Sequence, residues 1–516
     1  DLRMSRGLGD VYKRQDLASS LEDMQIQRGA GTSTNGAGAF GASINLRTAG
    51  IPSKAYAEVS GSYGSFNTHK ETVRVGSGLL GNHWAFDTRI SNIQSDGYRD
   101  RATSDLKSYF LQGGYYGENT TLKLIAFGGK EKTYHAWDGI SREQLETDRT
   151  YNPNGAIKDD NLNKGNIIGF YDDQTDNYEQ TNYQLIFNHL FSPEWHLNIA
   201  LHYTDGFGYY QEYKNGRTLE EYGLKPFYLP ENTEAQTKTN LVRQKLVDSG
   251  FGGGVFSVDY KDEKLSASLG GGLNHYSNDH YGKVIWVKNY TEPLNPDHEY
   301  YRNNGSKTDG NIYAKANYQI TKGLHAYADL QYRYISYKIE GDNDKWDWTA
   351  DPGHLQRLNV NEDFSFFNPK AGLFWQFNPN HSAYASFAVA QKEPTRNNYT
   401  DGLFDELPRP EKMLDYELGY TFRNSRFTAG VNLYYMDYTD QLVLNGKVND
   451  IGEAMAENVK DSYRMGIELS LGARITDWLR WDLNGTWSKN RIKNYTGYMS
   501  DYNQNWKAVS YTHLTL

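Results

Sequence analysis

The sequence predicts an all-β protein, an antiparallel up-and-down β-barrel that crosses a membrane. Three observations predict it. Apolar and polar residues alternate with period two over long segments, which places them on opposite faces of a strand. The segments run past ten residues, the roughly 9–11 that a tilted strand needs to cross a bilayer. The connections between them alternate between short and long, as periplasmic turns and extracellular loops do in membrane barrels.

The alternation is clearest in three segments. In Trp195–Thr204, Trp195, Leu197, Ile199, Leu201 and Tyr203 alternate with His196, Asn198, Ala200, His202 and Thr204. In Leu324–Tyr334, Leu324, Ala326, Ala328, Leu330, Tyr332 and Tyr334 face one way, and His325, Tyr327, Asp329, Gln331 and Arg333 the other. Phe427–Met436 repeats the pattern. Short turns are expected near Leu80–His83, Gly117–Thr120, Ser192–Glu194, Lys261–Lys264, Thr321–Gly323, Asn378–His381, Asn424–Arg426 and Thr476–Asp477. Longer polar loops are expected at Ala136–Asn177, Gln211–Gln244, Tyr276–Ser306, Gly341–Phe366 and Lys392–Glu411. Trp84, Trp195 and Trp478 each follow a short turn, the phase of an interfacial aromatic girdle. About seventeen strands are complete by Tyr495. Plugged outer-membrane barrels have 22, so the barrel is expected to be cut short.

Composition agrees with this reading and excludes others. The 42 Tyr and 50 Gly in 516 residues favour strands and tight turns. Mean hydropathy is low, −0.78, as it is when alternate residues face a polar lumen. No run approaches the roughly 18 apolar residues of a membrane helix. A net charge of −10 argues against nucleic acid as a partner, and without cysteine there is no disulfide or thiolate site. Neither a His-x-x-x-His pair on a helix nor a Gly-x-Ser-x-Gly elbow is present, so no catalytic residues, metal site or cofactor are assigned and an enzyme is not expected. Asp172, Asp173 and Asp176 carry oxygens that could hold calcium, but a solvated acidic loop accounts for them better.

The segment before the first wall strand decides which barrel this is. Met24–Thr48 reads MQIQRGAGTSTNGAGAFGASINLRT: an Arg28-Gly29 turn, glycines from Gly31 to Gly41, and a closing Ser43-Ile44-Asn45-Leu46 strand. It resembles the end of the plug domain of TonB-dependent outer-membrane receptors. The wall continues the resemblance in Phe367–Tyr399, in Pro410–Tyr420 (PEKMLDYELGY) and in Ser462–Leu471 (SYRMGIELSL). The expected organisation is the end of a plug over residues 16–50 and a truncated transmembrane barrel over 51–508. Residues 1–15 and 509–516 match neither pattern and are expected to be non-native ends; the family's coupling box and earlier plug are expected upstream of Asp16.

The resemblance implies energy-dependent uptake of a bulky ligand across the outer membrane, with a TonB-type coupling protein and outer-membrane lipid as partners. The default ligand is a ferric siderophore; cobalamin or another organic nutrient stays open. A passive porin or adhesin barrel is the structural rival and would lack the plug segment. A soluble propeller would show strands of about five residues. Glu417 and Glu468 alternate with apolar neighbours and should face the lumen, where an unpaired buried charge is expensive. The resemblance implies that such plug–wall pairs hold the plug, with Arg28 as the cation. At the outer ends of strands, His135, Trp137 and Asp138, the pair Tyr209 and Tyr210, and Arg396 with Tyr399 are candidate ligand contacts, since aromatics and arginine can stack on and clamp an anionic chelate.

Overall fold

The computed structural model describes residues 16–515 apart from 36–37, 39, 49, 51–53, 231–232, 297, 348–349, 401–406, 449–453 and 501–505. A hairpin comes first, β1 (Leu21–Arg28) with β2 (Ala42–Thr48), in register Met24↔Leu46 and Ile26↔Ile44. The wall opens with β3 (Tyr56–Tyr63), β4 (His69–Gly76), β5 (Trp84–Ser95), β6 (Ser104–Tyr116) and β7 (Thr120–Tyr134). An insertion follows, containing α1 (Arg142–Thr147) and the hairpin β8 (Ala156–Lys158)–β9 (Ile167–Phe170). The wall resumes with β10 (Thr175–Leu190), β11 (Trp195–Thr218), β12 (Lys238–Lys261), β13 (Leu265–Val287), β14 (Glu299–Gln319), β15 (Leu324–Asp347), β16 (His354–Asn378) and β17 (His381–Lys392). After the one-turn helix α2 (Arg396–Thr400) come β18 (Glu411–Arg423), β19 (Phe427–Val448), β20 (Ala454–Arg474), β21 (Arg480–Ser500) and β22 (Trp506–Thr515).

Every wall strand pairs antiparallel with its successor, and β10 pairs with β7 across the insertion. Five strands before the insertion and twelve after it are complete by Ser500, the count the segments predicted. β22 pairs with β21 as one more.

The wall is turned inside out relative to a water-soluble sheet. Along β5, Trp84, Phe86 and Ile90 are 52%, 53% and 64% exposed, whereas the intervening Asp87, Arg89 and Ser91 are 3%, 2% and 3% exposed. β15 repeats this, with Leu330, Tyr332 and Tyr334 exposed and Asp329, Gln331 and Arg333 buried. Period-two alternation alone does not say which face meets water. Exposed aliphatic and aromatic rows around buried charges do: the outward face suits lipid and the inward face a polar lumen. Among the described residues no helix is long and apolar enough to cross a membrane.

The expected short turns fall where strands meet, and Trp84 and Trp195 open β5 and β11. Trp478 lies in the turn before β21 rather than on the strand. At the other end the structure departs from expectation. Much of Gln211–Gln244, Tyr276–Ser306 and Gly341–Phe366 is strand, so β11, β12, β15 and β16 reach 24 or 25 residues. Beyond the bilayer both faces of a strand meet polar surroundings, the apolar rhythm stops, and polar sequence is easily read as loop. Dry packing gathers there: Leu219, Tyr222, Phe227, Leu241 and Val284 form one cluster, and Ile335, Ile339, Val360, Phe364 and Tyr399 another.

Candidate functional site

The N-terminal segment lies inside the wall and is held on two sides. On one side Asp16 accepts hydrogen bonds from Arg89 Nη1 at 2.6 Å, from Ser108 Oγ at 2.5 Å and from Lys70 Nζ, while Arg89 Nε donates to Ser20 Oγ at 2.8 Å. Burial works to raise the Asp16 carboxyl, but the donors Lys70, Ser108, Ser91 and Arg89 outweigh it and hold the group well below the usual carboxylate range. These contacts come from β4, β5 and β6.

On the other side, β14, β15, β16 and β18 form a seat for Ala30–Thr34. The Ser33 amide and hydroxyl donate to the Asp329 carboxylate at 2.9 and 2.5 Å, and Thr32 Oγ1 donates to it at 3.3 Å. Lys370 Nζ donates to the Gly31 carbonyl, Lys315 Nζ to Thr34 Oγ1 at 3.4 Å, and the Ala30 amide to Asp415 Oδ2 at 3.4 Å. Gly29 stands in the left-handed region, φ +74°, and a Cβ there would lie 2.9 Å from Asp415 Oδ2 and 3.2 Å from Glu417 Oε1. Only glycine meets both the dihedral and the close approach. One short segment touched by wall strands from β4 to β18 requires the sheet to curve around it.

With this geometry in view, the likeness to known proteins is specific. The sequence profile described as TonB dependent receptor-like, beta-barrel, matches residues 128–515. The chain belongs to the TonB-dependent receptor family. As such it is an outer-membrane β-barrel for ligand uptake. No curated protein matches it in sequence. Its fold is similar to that of the ferric-catecholate import receptor Fiu from E. coli K12, at 16% identity and TM-score 0.65, covering 96% of this chain and 73% of that one. The ferric yersiniabactin uptake receptor FyuA from Yersinia pestis matches at 10% identity and TM-score 0.65, covering 94% and 72%. The siderophore receptor PiuA from Acinetobacter baumannii matches at 14% identity and TM-score 0.62, covering 95% and 71%. At these identities the likeness is one of fold.

In this TonB-dependent receptor, Glu417 faces the lumen as expected, next to the Arg-Gly turn; it accepts from Tyr384 Oη at 3.1 Å. Glu468 accepts from Asn432 Nδ2 at 3.5 Å. The side chain of Arg28 lies outside the described residues, so the pairing expected of it stays a proposal. Asp415, Asp329 and Lys370, which sequence reading did not single out, are among the wall residues that hold the segment. The available signal was the one that found Glu417: a charge on the polar face of a wall strand, flanked by apolar neighbours.

The rim candidates separate into three groups. His135, Trp137 and Tyr210 come together: His135 stacks on Trp137 with centroids 3.9 Å apart, and Tyr210 meets both edge-on at 5.9 and 5.8 Å. His135 is buried while Trp137 is half exposed. Burial pushes the His135 imidazole down to about 4, against the opposing pull of Glu212 and Asp176. Asp138 is exposed, and its carbonyl accepts from Arg99 Nη2 at 3.1 Å.

Tyr209 is a correction. Successive residues of a strand point to opposite faces, so Tyr209 sits on the outer face near Phe207, away from the Tyr210 cluster. Arg396 and Tyr399 form the third group, and they too are corrected. Both lie on α2, where Tyr399 is buried against Tyr337 at 5.8 Å and Arg396 donates to Asn303 Oδ1. Just before α2, Glu393 accepts from Arg333 Nη1 at 2.9 Å and from Lys307, while Arg333 also binds Asp309 at 2.5 Å. An apolar cluster and a buried ion network hold α2 down on the wall, so the Tyr399 ring is spent on packing.

Proposed function

We propose that the receptor imports a bulky anionic iron chelate, a ferric siderophore, with energy supplied by a TonB-type coupling protein. The observation that carries this reading is the seat of Ala30–Thr34 across four wall strands. A lumen occupied by a segment hydrogen-bonded to its wall is not a free diffusion path, so passage needs that segment to be moved. This favours active import over a passive porin. In the proposed mechanism Arg28 pairs with Glu417 and Glu468, adding an ion pair to the charge-assisted hydrogen bonds at Ala30–Thr34. Ligand is met at the rim by the exposed face of Trp137, which His135 and Tyr210 keep in a fixed orientation; offset stacking on a planar aromatic part of the chelate is the chemistry that such a face offers. Asp138 beside it selects against chelates that bring a second anion close to that ring.

The test is uptake of iron-59-labelled siderophores, with labelled cobalamin in parallel, by cells carrying the receptor with and without the coupling complex. Coupling-dependent accumulation of one class of iron chelate is expected. Equal accumulation without the complex would defeat the active-import reading, and accumulation of cobalamin alone would defeat the ligand assignment.

A further inference from the structure

On β21 the outward residues Trp481, Leu483 and Trp487 are exposed and lipid-facing. The same phase continues with Lys489, Arg491 and Lys493. Register confirms the face, because directly paired residues share one: Lys489 pairs with Met465 and Arg491 with Tyr463 on β20. Tyr463 belongs to an outer-face aromatic row, stacked on Tyr435 at 6.0 Å, with Tyr435–Tyr416 at 6.4 Å and Tyr416–Phe387 at 5.1 Å. Lys493 Nζ lies 5.8 Å from the Tyr463 ring.

The height of this row follows from strand geometry. The short turn before β21 marks the periplasmic end. At about 3.3 Å per residue and a tilt near 40°, Lys489 stands roughly 20 Å above Trp481 and Lys493 roughly 30 Å. An apolar band about 25 Å tall ends between them. The three cations therefore straddle the outer edge of that band, with Arg491 level with the aromatic row at Tyr463.

Charge balance sets this patch apart. Among the described residues Lys489, Arg491 and Lys493 form no ion pair, and the acids on the same face are Asp437 and Asp461, with Lys412 adding a further cation. Across the wall, a second outward lysine group is neutralised: Lys107 by Asp105 at 3.6 Å, Lys132 by Asp173 at 3.0 Å and Lys130 by Glu179. We infer that the outer face of β20 and β21 is a docking site for phosphorylated lipid head groups of the outer leaflet, held by Lys489, Arg491 and Lys493. Phosphate oxygens supply the counter-charge that the wall omits at this place, and the acyl chains lie along the Trp481–Trp487 row below.

The experiment purifies the chain in mild detergent with lipid A carrying both phosphates, or with enzymatically dephosphorylated lipid A, and quantifies bound lipid by mass spectrometry after washing. Wild type retains the phosphorylated lipid, and the combined variant Lys489→Gln, Arg491→Gln, Lys493→Gln retains roughly a hundredfold less, the loss that three interfacial cations give. The combined variant Lys107→Gln, Lys130→Gln, Lys132→Gln retains as much as wild type, and millimolar inorganic phosphate displaces nothing. Replacing Lys489 and Lys493 by Arg preserves retention, which separates charge from folding; heat-modifiable electrophoretic mobility checks the fold of each variant. Equal retention by wild type and the first Gln variant, or equal retention of the dephosphorylated lipid, overturns the proposal. Ligand uptake does not enter this readout, so the two proposals stand or fall separately.

Discussion

Replacing Asp329 by alanine tests the seat directly. Its carboxylate takes the Ser33 amide at 2.9 Å, the Ser33 hydroxyl at 2.5 Å and the Thr32 hydroxyl at 3.3 Å, and both Ser33 and Asp329 are buried. Hydrogen bonds to a charged partner contribute about 1.5–3 kcal/mol each, and a buried donor left unmatched costs a similar amount. The two short bonds share one carboxylate and one residue, so they do not simply add. About 3–4 kcal/mol is a reasonable loss of seating for Asp329→Ala, while Asp329→Asn, which keeps an acceptor oxygen, should lose about half. Native-state hydrogen exchange reads this locally: each 1.4 kcal/mol is tenfold in the opening equilibrium, so amides in a peptide covering 29–35 should exchange about 100 to 1,000 times faster in Asp329→Ala. Peptides from β14 and β16 should keep their wild-type rates. Unchanged exchange over 29–35 would refute the seat, and acceleration spread evenly over the wall would show that Asp329 supports the barrel instead.

Four further outcomes are expected. The His135 resonance in a carbon-labelled NMR titration should have its midpoint near 4. Because the folded value lies below the unfolded one, the rim cluster is fully stable above about 6.5 and loses roughly 3 kcal/mol as pH falls from there towards 4; a midpoint near 6.5 would contradict the burial argument. Glu393→Gln should release the α2 loop by about 2 kcal/mol, since it weakens the bonds to Lys307 and leaves Arg333 with Asp309 as its remaining carboxylate, seen as faster proteolysis within 393–410. The Glu393 carboxyl is held down to about 2, where Arg333 and Lys307 overcome the upward effect of burial, so in wild type the same release should appear only as pH falls below about 4.5 towards 2. Leu124→Arg, on the lipid face, should destabilise the barrel in bilayers by about 2–4 kcal/mol in urea titrations, and no change would mean that this face does not meet lipid. Arg28→Ala and Glu417→Ala should couple by more than about 1 kcal/mol in a double-mutant cycle on exchange over 29–35; additivity would remove the proposed pair.

What was legible in the sequence was whatever is written in local periodicity. Alternation such as Leu330-Gln331-Tyr332-Arg333 fixes a strand and its two faces, and short turns such as Asn424–Arg426 fix connectivity. Inward charges such as Glu417 follow from the same rhythm. What was hidden depends on contacts distant along the chain. Asp329 and Ser33 are separated by 296 residues, and nothing near either one points to the other. Tyr209 and Tyr210 were read as a pair, although a strand necessarily sends neighbours to opposite faces. Arg396 and Tyr399 look like a rim motif, and only the cluster with Tyr337, Ile335 and Phe364 shows that the loop folds inward.

The chemistry of the contacts between residues 16–34 and the wall bears on how a transporter of this kind would work. An apolar segment seated on an apolar wall would have to expose greasy surface on every opening, at about 25 cal/mol for each Å². The contacts described for 16–34 are instead Asp16 with Arg89 and Lys70, Asp329 with Ser33, Lys370 with Gly31, and Asp415 with Ala30. Each of these donors and acceptors can be taken over by water as the segment moves, and the net value of a hydrogen bond to a charged partner exchanged for water is about 1.5–3 kcal/mol. Such a seat holds position through several partners with exact directions, and it yields one contact at a time when pulled. The polar inner face and the exposed apolar outer face are thus two consequences of one alternation: the side that meets lipid keeps the barrel in the membrane, and the side that meets water lets its contents be displaced and return.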